Sequence, residues 1–336
     1  KDGAVKVTKE SVAPPVPYKE FDRLVWAKQI VNRDFNYTDI SNDGPVFADF
    51  VFKLANNNVP RYNYLCSIIG YALNNYRTSS NTRAIIINDE IVSDLPEGGS
   101  GKSLFVKSFG HTRILVLKDG KTFNPNKSFE WSDIDESVDL VLLDETSANF
   151  SFEDLFSVIT DGITVEKKYA DKYRLPIEKS PLILITTNKP VSGYGGSHKR
   201  RQYNVDIHQY FNQKHTPMDE YGHTFFQDWN VEEWAKFDTF MMQCVQYYLQ
   251  NGIVQPPEID NKYKDAIRAT NVTFVEWIYD VIGDFQCFTP TNTAIQRYKD
   301  ETGQPHLKVD ARTFKRYVKT ICEIFDYDFK EHRDSG

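Results

Sequence analysis

The chain has four cysteines, and they stand far apart. Cys66, Cys244, Cys287 and Cys322 form no C-x-x-C pair, so neither a disulfide framework nor a metal cluster is expected. They read as the reduced core cysteines of a cytoplasmic protein. The seven histidines make no H-E-x-x-H or H-x-H arrangement, so no structural zinc is expected. No apolar run reaches the roughly 18 residues that a membrane helix needs, and no membrane partner is expected. Positive charge is also lacking: the net charge is −7. That argues against a general nucleic-acid coat, but not against one local basic surface, because affinity follows the phosphates contacted. The first residues, Lys-Asp-Gly, include no methionine, as expected of a segment of a longer protein.

What is present is apolar material. Of 336 residues, 40% are hydrophobic and 14% aromatic, enough for two or three domains with a sizeable core. Residues 1–18, ending APPVPY, are expected to be extended or mobile. Residues 19–80 form an expected helical N-terminal (collar) domain. Phe21, Leu24, Val25 and Ile30 recur at helical spacing, as do Phe47, Phe50, Val51 and Leu54, then Leu65, Ile68, Ile69 and Leu73. RTSSNTR, 77–83, is expected as a linker. Short apolar runs follow at 84–87, 114–117, 140–143 and 182–185, with helical patterns between some of them. Buried strands alternating with helices predict an α/β core with a mostly parallel sheet over 84–252. It closes with a helix over 228–250. Residues 258–336 are expected to be a separate, mainly helical C-terminal domain.

Three short stretches carry chemistry. The first is PEGGSGKS, 96–103. Glycines Gly98, Gly99 and Gly101 free the backbone so that N–H groups can face phosphate oxygens, with Ser100 among them. Lys102 would neutralise phosphate charge and Ser103 would hold Mg²⁺. Pro96 stands where the usual pattern has glycine. Alone, the stretch is also compatible with an ordinary surface loop. The second is DLVLLDET, 139–146, an apolar strand that delivers Asp144 and Glu145 at its tip. Beside a phosphate loop, Asp144 suits the Mg²⁺ shell and Glu145 the attacking water. The third is LILITTN, 182–188, whose terminal amide, Asn188, suits a γ-phosphate sensor. Lys102 precedes Asp144 by 42 residues, and Asp144 precedes Asn188 by 44, so a compact sheet could gather all three at its carboxyl edge.

Between the acids and Asn188, Lys167, Lys168, Lys172, Arg174 and Lys179 alternate with Tyr169 and Tyr173. Cations for phosphates and rings for bases suit a single nucleic-acid strand, on a hairpin with its tip near 170–172. A solvated hairpin is the plainer alternative. After Asn188, Arg200 and Arg201 are candidates for an arginine finger acting on a neighbouring subunit, with Arg201 favoured as nearer the next strand. In the tail, Asp310 suits an N-cap. Phe314, Val318, Ile321 and Phe325 share one helix face and Arg312, Lys315, Arg316 and Lys319 another.

Together these motifs resemble the superfamily 3 helicases, AAA+-like ATPases of phage, plasmid and viral replication. The matching parts are GGSGKS, DLVLLDET, the basic stretch 161–181 and LILITTN, within 84–215. The stretch from Phe150 to Pro181 is especially similar to phage and mobile-element primase-helicases. The resemblance implies a P-loop AAA+-like core, ATP and Mg²⁺ as cofactors, and single-stranded and forked DNA as partners. It also implies a homo-oligomer, expected as a hexameric ring, a primase domain or partner, and a winged-helix-like C-terminal domain. By resemblance, Lys102 and Ser103 bind the triphosphate and metal, Asp144 and Glu145 serve metal and water, and Asn188 is the sensor. Arg200 or Arg201 is the finger, and Lys167, Lys168, Lys172 and Arg174 grip DNA. An AAA+ ATPase that remodels protein or packages DNA without unwinding is the alternative. A non-catalytic nucleotide-binding module is a third reading.

Overall fold

A computed structural model describes residues 3–20, 24–90, 99–147, 150–188, 191, 195–255, 261–284, 289–303 and 309–331. Phe21, Pro96, Gly98 and Cys287 lie outside them. The chain divides into two compact units, Lys1–Lys189 with Lys199–Pro257, and Pro190–His198 with Glu258–Gly336.

The first unit begins with little regular structure. Gly3–Ala4 pairs antiparallel with Val16–Pro17. The helical spacing at 21–30 does not produce an α-helix: the described part holds one 3-10 turn at Ala27–Gln29. Leu24 is 93% exposed, so one of the residues meant to line a buried face has nothing to bury against. Polar anchors hold this stretch instead. Lys28 pairs with Asp135 at 2.8 Å, and Arg33 grips Asp238 through two nitrogens while stacking on Trp234.

Two helices follow, α1 (Val46–Leu54) and α2 (Val59–Leu73). Asn58 caps α2 by accepting from Arg61 N at 3.0 Å. The long helix Val231–Asn251 crosses α2 at Gly70 so closely that a Cβ there would lie 2.1 Å from the Cys244 carbonyl oxygen. The expected linker 77–83 is tied down: Arg77 is buried and donates to the Asp139 carbonyl at 3.2 Å.

The chain then alternates: β1 (Ala84–Asp89), α3 (Lys102–Lys107), β2 (Leu115–Asp119), β3 (Leu140–Asp144), α4 (Phe156–Asp161), β4 (Ile163–Val165), β5 (Tyr173–Leu175), β6 (Leu182–Thr186), β7 (Gln202–Ile207), α5 (Pro217–Tyr221) and α6 (Val231–Asn251). Five strands form one parallel sheet in the order β2-β3-β6-β1-β7. The α/β expectation is met in this sheet. The apolar runs of its three central strands, β3, β6 and β1, are buried, as parallel strands covered on both faces must be. The fourth run, in edge strand β2, is only partly covered and leaves Leu117 53% exposed. Ile85, Ile87, Leu140, Leu142, Leu182 and Leu184 share one core with α1, α2, α3 and α6. The helices expected as an N-terminal domain thus pack directly on the sheet.

The second unit contains α7 (Asn261–Ala269), α8 (Val272–Val281), α9 (Thr291–Glu301) and α10 (Ala311–Phe325). Phe274 centres its core, meeting Tyr298 at 5.4 Å and Phe314 at 5.6 Å between ring centres. Asp310 caps α10 by accepting from Thr313 N at 2.8 Å. Arg312, Arg316 and Lys319 are exposed, while Lys315 pairs with Glu331. No described helix of the chain is long and apolar enough to cross a membrane.

Candidate active site

Alternation along the strands builds the site. Ile85 and Ile87, Leu140 and Leu142, and Leu182 and Leu184 face α3, so the next alternate residues, Asp89, Asp144 and Thr186, continue that face. All the strands are parallel, so these three residues end at one carboxyl edge. β6 lies between β1 and β3, which puts Thr186 between the two acids.

The glycine loop meets this edge. Gly99 and Gly101 have φ of 97° and 92°, a left-handed conformation costly for other residues. A Cβ on Gly101 would come within 3.1 Å of the Phe50 ring, so α1 closes the back of the loop. Lys102 is buried; its ammonium pairs with Asp89 and donates to Ser100 Oγ at 3.1 Å. Ser103 Oγ donates to Asp144 Oδ1 at 3.0 Å.

Asp144 is the hub. Its Oδ1 also accepts from Thr186 Oγ1 at 2.6 Å, and its Oδ2 pairs with Lys107 Nζ at 3.1 Å. Burial alone would raise its pKa, but hydrogen bonds from Thr186, Lys107 and Ser103 and the Lys107 charge hold it below the usual 3.8. Glu145 follows in a left-handed conformation, φ 57°, with its N–H donating to Thr186 Oγ1 at 3.0 Å. One threonine hydroxyl thus fixes both acids. The Glu145 carboxylate points outward and pairs with Lys121; the two side chains are 58% and 63% exposed. Asn188 is half-buried two residues past β6.

The structure therefore gathers Lys102, Ser103 and Asp144, with Glu145 and Asn188 adjoining. It does not bring Arg200 or Arg201 to them. The Arg201 carbonyl accepts from Ala84 N at 2.8 Å, at the start of β1. Six strand residues, roughly 20 Å, separate that edge from the acids. Arg201 lies over the Phe156 ring at 4.4 Å and is half-buried, whereas Arg200 is exposed. The structure leaves Arg200 the more accessible of the pair, whereas chain position alone favoured Arg201.

The expected basic hairpin is formed by β4 and β5, with Thr164 opposite Arg174. Its base packs near the amino edge: Tyr173 Oη donates to the Ile134 carbonyl at 3.3 Å and Lys179 pairs with Glu136 at 3.0 Å. Lys168, Lys172 and Arg174 are exposed, and Tyr169 is fully so. Lys172 pairs with Glu166 at 3.1 Å, while Lys167 is half-buried over the Tyr173 ring. Phe129, from the β2–β3 loop, lines an open trough with residues 166–171.

Sequence reading missed Asp89, Thr186, Lys107 and Lys121. Lys107 carried a signal, standing four residues after Ser103 on the same helix face. Asp89 and Thr186 carried only the alternation of their strands. The donor set suits a phosphate chain and a hard divalent cation: an ammonium, left-handed glycines, and a hydroxyl facing a carboxylate. Asp89 Oδ1 and Thr146 Oγ1 are moreover buried without a partner among the described residues.

No family model matches the chain, and no curated protein sequence matches it. Solved structures overlap it loosely. One described as the apo A form of the NrS-1 C-terminal region is 13% identical, with a TM-score of 0.40, over 88% of this chain and 71% of that one. A second NrS-1 C-terminal structure gives 13%, 0.39, 86% and 70%. JCV helicase with a bound thiazolopyridinyl acetamide gives 11%, 0.32, 78% and 74%. Overlaps this loose carry no functional argument.

Proposed function

We propose that this chain is an ATP-driven DNA helicase of the superfamily 3 type, working as a ring on single-stranded DNA. The observation that carries the proposal is the convergence of Lys102, Ser103 and Asp144 at one sheet edge, with a basic, tyrosine-bearing hairpin built at the other. Lys102 and the Gly99–Ser103 backbone would hold the triphosphate, and Ser103 and Asp144 the Mg²⁺. That ion, when bound, would neutralise phosphate charge and favour attack at the γ-phosphorus. Glu145 takes the proton of the attacking water. To do so it leaves Lys121, a cheap exchange because a surface ion pair contributes little. Asn188 adjoins the γ-phosphate end of the site as the sensor.

Arg200 and Arg201 cannot reach their own subunit's Lys102, so we assign them to a neighbour's site. Head-to-tail contacts that close into a ring, expected to be a hexamer, repeat that arrangement in every subunit. Lys168, Lys172 and Arg174 then face a central strand of DNA, with Tyr169 as a stacking surface. Only that channel need be basic, which reconciles the role with the acidic total.

The deciding experiment is strand displacement on forked DNA with ATP, alongside ATPase with and without single-stranded DNA. Unwinding that is lost in Lys102→Ala supports the proposal. ATPase that DNA neither stimulates nor couples to unwinding favours a protein-remodelling ATPase. DNA binding unchanged in an assembled Lys172→Ala ring removes the hairpin from the DNA path.

A further inference from the structure

Lys102 is the cation assigned above to the triphosphate, and it already has a carboxylate partner. Its ammonium pairs with Asp89, and each side chain is only 8% exposed. Asp89 ends β1, thirteen residues before Lys102. Its second oxygen, Oδ1, is buried and has no hydrogen-bond partner among the described residues. Its neighbour Glu90 is held elsewhere, by Arg61 at 2.9 Å and His208 at 2.7 Å. Among the described residues, Lys102 alone compensates the Asp89 charge.

Two anions would then compete for one ammonium. If Lys102 turns to a phosphate, Asp89 is left buried and unpaired, which is costly. Its charge also repels a polyphosphate at close range. We infer that Asp89 is an internal competitor of the nucleotide: it holds the loop lysine whenever no nucleotide is bound and must be displaced when nucleotide binds. The inference rests on the ATP reading of this site. Its consequence is that apparent affinity is lowered by the fraction of molecules whose lysine is free. Recapture of Lys102 by Asp89 also hastens departure of a bound nucleotide.

The test compares wild type, Asp89→Asn and Lys102→Ala by calorimetric titration with Mg·ADP and Mg·ATPγS. Asparagine keeps an acceptor for Lys102 and removes the charge. Asp89→Asn is expected to bind both nucleotides about tenfold more tightly, and to release ADP correspondingly more slowly in stopped flow. Affinity equal to or weaker than wild type, in a variant with a wild-type melt, overturns the competitor role and leaves the ATP reading standing. Should Asp89→Asn fail to fold, Asp89→Ala is read by the same two criteria. Wild type that binds neither nucleotide overturns the ATP reading, and this inference with it.

Discussion

Thr186→Val is the sharpest perturbation of the site, because one hydroxyl is removed while shape is nearly kept. Thr186 is buried, donates to Asp144 Oδ1 at 2.6 Å and accepts from Glu145 N at 3.0 Å. A hydrogen bond to a charged group contributes about 1.5–3 kcal/mol and a neutral one about 1. Their joint loss should cost about 2.5–4 kcal/mol, or a Tm drop of about 4–6 °C in a chain of this size. Asp144 is held below its usual 3.8 with Thr186 among the causes. Its stabilising contribution is therefore present above that value and fades as pH falls through the folded-state pKa. The gap between variant and wild type should accordingly narrow below about pH 4. ATPase should fall about 10–100-fold as both acids lose their common anchor, and Thr186→Ser should recover most of it. Thermal melts across pH and steady-state ATPase read both effects. If Thr186→Val melts within a degree of wild type and hydrolyses ATP normally, the hydroxyl does not hold the acids.

Three further outcomes follow from packing and charge. Gly70→Ala forces a Cβ to within 2.1 Å of the Cys244 carbonyl oxygen, so α2 and α6 must separate. A loss of about 3 kcal/mol or more is expected in urea unfolding. His111 lies tilted against the Phe226 ring at 4.2 Å between centres, and burial, aided by the Arg33 charge, pushes its pKa from 6.5 down to about 4. Between those values only the unfolded chain is protonated, so stability falls as pH drops from 6.5 to 4; His111→Phe should flatten that part of the Tm profile. Ser180 Oγ donates to the Leu175 and Pro176 carbonyls, each at 3.0 Å, and accepts from Ile163 N at 3.3 Å, fastening the hairpin to the start of β6. Ser180→Ala should keep basal ATPase and lose most of its stimulation by single-stranded DNA, measured side by side.

The chain order carried the local parts of the site and hid their assembly. Gly99–Ser103, the acid pair and the hairpin were legible because each depends on neighbours in sequence: glycines for a left-handed loop, an apolar run for a buried strand, and a charged tip near 170–172 for the hairpin. The contacts of Asp144 with Thr186 and of Lys102 with Asp89 depend on which strands lie side by side. The order β2-β3-β6-β1-β7 inserts β6 between β1 and β3, although it follows both in the chain. No spacing reveals that. The described stretch from Leu24 to Ile30 failed for the opposite reason: its period was helical, but period alone forms no helix where Leu24 faces solvent.

That insertion of β6 also bears on how the two edges communicate. β6 begins at Leu182, a few residues after the hairpin ends at Leu175, and finishes at Thr186, which holds both acids. A pull on the hairpin therefore reaches the acids through one short, fully buried strand. β3 cannot do this alone, because the route from Glu145 back to the hairpin runs through residues 145–151 and α4. β1 pairs with β6 and β7, not with the hairpin. A buried parallel strand is poorly compressible, so it transmits displacement instead of absorbing it. If the chain works as the proposed helicase, coupling between the hairpin and Glu145 should then depend on the two ends of β6, Ser180 and Thr186. Substitution at the first should uncouple DNA from hydrolysis, whereas substitution at the second should impair hydrolysis itself.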